Sequence, residues 1–160
     1  MKRGLSSVNQ ALERLAKELG LNEPAKERLR LEFGYACALR VQHFIEEQAV
    51  ADCLSSLGEF LAGTIDRAHL EEQAVRAARL ANQHQGSKSV DGAGHAAVSA
   101  TYAVANALAG KALQAAEYAA YAMVYGQGGY GAVTDQESFG PELEWQVVRL
   151  SSLATRRDST

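Results

Sequence analysis

From Gly92 to Gly110 the chain reads GAGHAAVSATYAVANALAG, and the Ala-rich run Lys111–Tyr125, KALQAAEYAAYAMVY, follows directly. Between Asp91 and Asp135 only Lys111 and Glu117 carry charge. Alanine is the strongest helix former, and its small side chain lets helix axes approach closely. Two helices with almost no solvated face must sit at the centre of a domain, so this pair predicts an all-α fold. It does not predict a membrane span. Ala and Gly add little transfer free energy, and His95, Ser99, Thr101 and Asn106 oppose insertion.

The flanking segments supply the outer helices. Leu5, Val8, Leu12, Leu15 and Leu19 recur at three- and four-residue steps, which makes one apolar stripe capped by Ser6 or Ser7 and stopped by Gly20. Asn22 and Pro24 open a long second helix running to about Gln48, apolar on more than one side and therefore central. Gly34 inside it costs about 1 kcal/mol relative to Ala, a cost that a close neighbouring backbone would explain. Val50 to Leu61 and Arg67 to about Gln85 form the next two helices, with Thr64 or Asp66 capping the second. GSKSVDG reads as a loop. The central pair bends near Gly110, and a Gly-rich flexible loop is expected over 126–140. Pro141 begins the last helix, and the tail beyond about Ala154 is expected to fray. The expected architecture is all-α: one irregular bundle of about six to seven helices forming a single domain over 1–160, its core about 5–154.

Composition narrows the class of function. The formal net charge is −3 and no basic stripe occurs, which argues against nucleic acid as a partner. The basic start is followed by Glu13, Arg14, Lys17 and Glu18 rather than an apolar run, so no secretory signal is read and a cytoplasmic location is expected. Cys37 and Cys53 are the only cysteines. Each lies in a helical pattern and reads as a reduced packing residue.

Few residues suggest chemistry. Gly126-Gln127-Gly128-Gly129-Tyr130-Gly131 satisfies GxGxxG, but the phosphate-binding version needs a preceding strand, and here a helix precedes. His43, His69, His84 and His95 lack the paired Glu-x-x-His arrangement of a helical di-metal site, so no metal and no cofactor is expected. His95, in the uncharged segment, reads as a core histidine or as part of a small polar pocket. Arg40 interrupts an apolar helix, so it either reaches solvent along its stem or pairs inside; Glu46, Glu47 and Glu59 are candidate partners. No nucleophile sits in a catalytic frame, and the chain is not read as an enzyme.

Three pieces of the chain carry a resemblance. Cys37-Ala38-Leu39-Arg40-Val41 is followed by Glu46. Gly94-His95-Ala96-Ala97 opens an Ala-rich helix continued by Ala116-Glu117-Tyr118-Ala119-Ala120. Glu144-Trp145-Gln146 is followed by Arg149-Leu150. In this order, over roughly Glu32 to Leu153, the chain resembles the Imm-5-like immunity proteins, a bacterial family associated with polymorphic toxin systems. It departs from the family pattern at Tyr102, where a second histidine is frequent, and at Val50-Ala51-Asp52. The resemblance implies a cytoplasmic helical protein whose partner is a cognate toxin.

Two functional readings follow. In the first, the domain docks on a toxin through a complementary surface, with the Gly-rich segment and its Tyr130, Asp135 and Glu137, together with an exposed Glu142, as contact residues. In the second, it is a small-ligand protein or enzyme whose polar pocket is formed by Arg40, His95 and Trp145, provided these converge on a cavity. A homo-oligomer packed through the Leu stripe of the first helix is compatible with either.

Overall fold

The computed structural model describes residues 9–83, 93–133 and 139–158, with side chains over 9–83, 94–127 and 139–156. Among these residues the secondary structure is seven α-helices, two short 3₁₀ turns and no strand. The all-α bundle expected from the sequence is therefore what forms, and no helix of the described residues is long and apolar enough to cross a membrane.

Helix α1 spans Gln10–Leu19. Its cap is Asn9, whose side-chain oxygen accepts the Leu12 N–H at 3.1 Å; Ser6 and Ser7 lie outside the described residues. Gly20 ends it at φ 64°, and the Leu21 N–H returns to the Ala16 carbonyl at 2.9 Å. Leu12 and Ala16 are buried in the main core, with Leu15 and Leu19 packed on it. Leu12, Leu15 and Leu19 of the stripe therefore face the bundle, while Leu5 and Val8 lie outside the described residues.

A 3₁₀ turn over Pro24–Lys26 leads into α2, Glu27–Arg40. The long helix expected to reach Gln48 breaks at Val41, whose φ of −115° and ψ of 13° leave the helical region. A second 3₁₀ turn, Gln42–Phe44, follows, and α3 starts afresh as Gln48–Leu61. Tertiary packing accounts for the break. Val41 is fully buried, and the turn lays the Phe44 ring over Gly126, filling the space a Cβ would need there.

Helix α4, Arg67–Gln83, is capped by Asp66, which accepts the His69 N–H at 2.9 Å. Helix α5, Ala93–Leu108, turns through Gly110 at φ 77° into α6, Ala112–Val133. The expected flexible loop at 126–140 is corrected in its first part, where the glycines 126–131 continue α6 as far as Val133; residues 134–138 lie outside the described residues. Helix α7 runs from Gly140 to Asp158, past the point where fraying was expected.

α5 and α6 make the most extensive pairing, and α2 lies across both. Ala103, Ala107, Ala115, Ala116, Ala119 and Ala120 are fully buried at this crossing. A Cβ on Gly34 would stand 3.2 Å from the Cα of Ala107. Glycine in α2 is therefore the condition for the close approach of α2 and α5.

Candidate functional site

Breaking the chain at Val41 leaves Arg40 in the last turn of α2, and Glu142 lies in the first turn of α7. Each charge opposes the partial charge of its own helix end, cation at the C-terminus and carboxylate at the N-terminus. The two side chains meet across 102 residues of sequence. Arg40 Nε donates to Glu142 Oε1 at 2.9 Å and Oε2 at 3.1 Å, and Nη2 stands 2.8 Å from Oε1 as an ion pair. Trp145, one turn on from Glu142, lies under the guanidinium with its ring centroid 4.2 Å from Arg40 Cζ. The Glu142 side chain is 3% exposed and that of Arg40 36%.

This arrangement corrects two expectations. Glu142 is not an exposed contact residue but a buried partner, and the carboxylate paired with Arg40 is this one, which was not among the candidates Glu46, Glu47 and Glu59. Cys37, one turn before Arg40, is buried beside the pair. Burial pushes its thiol well up, and the Glu142 carboxylate adds to this against the opposing pull of Arg40 and Arg149. A thiol held neutral in this way is a packing group and not a nucleophile.

The structure brings Arg40 and Trp145 together, whereas His95 belongs to a different contact. His95 is exposed, which corrects the core reading, and its ring stacks on Tyr125 with centroids 5.0 Å apart and planes 20° from parallel. The aromatic row continues from Tyr125 to Tyr121 at 6.4 Å and from Tyr121 edge-on to Phe139 at 5.3 Å. It joins the start of α5 to the end of α6 and the residue preceding α7. Tyr130 falls in α6 by its backbone, with its side chain outside the described set; Asp135 and Glu137 lie outside the described residues.

A second polar centre was missed by sequence reasoning. The Asn9 amide donates to the Leu143 carbonyl at 3.1 Å and to Gln146 Oε1 at 3.4 Å. Gln146 Nε2 donates to the Ala116 carbonyl at 2.8 Å, so one buried chain of bonds ties α1, α7 and α6. A buried amide must find such partners, but separations of 134 and 137 residues leave no local signal of which ones. Above Gln146 opens a cleft of ≈ 670 Å³ between α1 and the first turns of α6. Glu13, Arg30, Lys111 and Glu117 stand on its walls, with Leu12 and Tyr118 among its apolar lining.

Chemically, the α2–α7 junction is a closed ion pair with an aromatic lid, and the cleft is an open concavity bearing both signs of charge. Among the described residues no group of three or more His, Cys, Asp or Glu could hold a metal ion. Comparison of the chain with protein-family models, with curated proteins and with solved structures returns no match.

Proposed function

We propose that this chain is a binding protein of the immunity type, a helical scaffold that docks on a cognate toxin and blocks its active site. The observation that carries this reading is the internal use of Arg40, Glu142 and Trp145. The strongest charged group among the resemblance motifs is engaged in fastening α2 to α7, which favours a scaffold over a substrate-handling site at those residues. A binder of this kind requires a rigid frame and a complementary outer surface, and no reacting group. Tyr130, Asp135 and Glu137, all near the end of α6 or just beyond it in sequence, are the contact residues proposed for that surface.

The test is co-expression with the toxin encoded beside the gene, scoring growth and then co-purification. Rescue with a stable complex supports neutralisation by docking, and substitution of Tyr130, Asp135 and Glu137 should then weaken the complex. Neither rescue nor complex, with the toxin shown to be active, overturns the pairing. Rescue without a complex replaces docking by enzymatic reversal of the toxin's damage.

A further inference from the structure

The cleft between α1 and α6 lies at the first turns of α6 and has none of Tyr130, Asp135 and Glu137 among its lining residues. Its volume of ≈ 670 Å³ lies within the range of small-molecule sites, roughly 300–1,000 Å³. Its floor is fixed, because Gln146 and Asn9 are held by the buried bonds described above. One wall carries Arg30, whose Nη1 donates to the carbonyls of Leu21 at 2.6 Å and Glu23 at 2.8 Å. Those bonds hold the guanidinium in place, so a ligand would not have to order it. Lys111 is exposed beside the Gly110 turn and supplies the second cation. Glu13 of α1 and Glu117 of α6 supply two carboxylates. The apolar lining comes from Leu12, Leu21, Leu113 and Tyr118.

A cleft with two cations and two carboxylates does not select a simple anion, since the carboxylates would repel it. Its charges complement a ligand that carries both signs. We propose that the cleft binds a zwitterion of dipeptide size with apolar side chains. The ligand carboxylate faces Lys111 and Arg30, its ammonium faces Glu13 and Glu117, and its side chains lie on the leucines and Tyr118. The volume exceeds that of one amino acid, which is why a dipeptide fits the space better than a single residue.

The probes are leucyl-leucine, its N-acetyl form and its C-terminal amide, titrated calorimetrically into the full chain at millimolar concentration. Leucyl-leucine should bind tightest. Lys111→Ala should weaken leucyl-leucine and the N-acetyl form about fivefold but leave the amide unchanged, and Glu13→Ala should weaken leucyl-leucine and the amide but leave the N-acetyl form unchanged. Both positions are exposed, so the variants keep the fold, and Arg79→Ala on α4 serves as the control that changes nothing. Absence of heat with all three probes overturns the proposal. So does binding that follows overall protein charge, shifting equally in Lys111→Ala and Arg79→Ala.

Discussion

Removing the Arg40 side chain should strand Glu142. In Arg40→Met the apolar stem is kept, while the two Nε hydrogen bonds and the Nη2 ion pair to the carboxylate are lost, with the cation over Trp145. Stripping one partner from a fully buried ion pair costs about 3–5 kcal/mol, because the other charge is left without compensation. Glu142 meets that condition at 3% exposure, but Arg40 is 36% exposed and its removal admits water. The lower end, about 3 kcal/mol, is therefore the expected electrostatic part. The cation–π contact adds about 0.5–1 kcal/mol. Glu142→Gln should cost less, about 1–2 kcal/mol, since the amide keeps the shape and Arg40 can turn to solvent. The double variant should then be more stable than Arg40→Met alone, because no charge remains stranded. Urea unfolding with an unchanged slope provides the assay. An Arg40→Met loss below about 0.5 kcal/mol, or costs that simply add in the double variant, would refute the reasoning.

Gly34→Ala gains about 1 kcal/mol of helix propensity but drives a methyl to 3.2 Å from the Ala107 Cα; overpacking of about 1–3 kcal/mol should win, and Ala107→Gly should recover part of the loss in urea unfolding. Asn9→Ala removes both the cap of α1 and its tie to Leu143, so a loss of about 1–2 kcal/mol is expected, with faster amide exchange at Leu12. Glu27 accepts from Arg67 at 2.5 and 3.0 Å, and this bond holds its carboxyl below the ordinary value. Arg67→Gln should move the Glu27 titration upward by NMR. Because the folded value is the depressed one, the pair's small contribution is present above the unfolded carboxylate range and is lost as pH falls through the folded value, where variant and parent converge.

Local rules recovered what depends on neighbours in sequence. The stop at Gly20, the turn at Gly110 and the close approach at Gly34 each follow from one residue's backbone chemistry, and the cap of α4 is Asp66, one of the two candidates Thr64 and Asp66. The departures arise where distant residues decide. Nothing around Val41 marks a helix end, and the break there coincides with a buried Val41 and with Phe44 seated over a glycine 82 positions away in sequence. The glycines after Tyr125 would weaken an isolated helix by about 1 kcal/mol each, yet at Gly126 the missing side chain is what admits the Phe44 ring. Arg40 was recognisable as a charge needing a partner. Which carboxylate would reach it depended on the placement of α7, and Glu142, in the first turn of that helix, reads locally as an exposed acid favouring the helix start.

The same logic makes α7 the element that closes the bundle, and this can be tested. It is joined to α2 by Glu142 and Trp145, and to α1 and α6 by Gln146. Helix α1 also meets α7 through the Asn9 bond to the Leu143 carbonyl and by packing, and the buried Gln146 amide adds a further tie between the first and last helices. Gln146→Leu conserves the bulk but withdraws the acceptor from Asn9 and the donor from the Ala116 carbonyl. Leaving buried polar groups unpaired costs about 1–3 kcal/mol. The loss should fall on a subglobal opening rather than on the whole domain, because the α5–α6 pair keeps its alanine contacts. Native-state hydrogen exchange should therefore show the amides of α1 and α7 accelerating together, by a similar factor, with those in the middle of α5 unchanged. Acceleration confined to α1 would mean that α7 is held without it, and the coupling of the two ends through Gln146 would have to be abandoned.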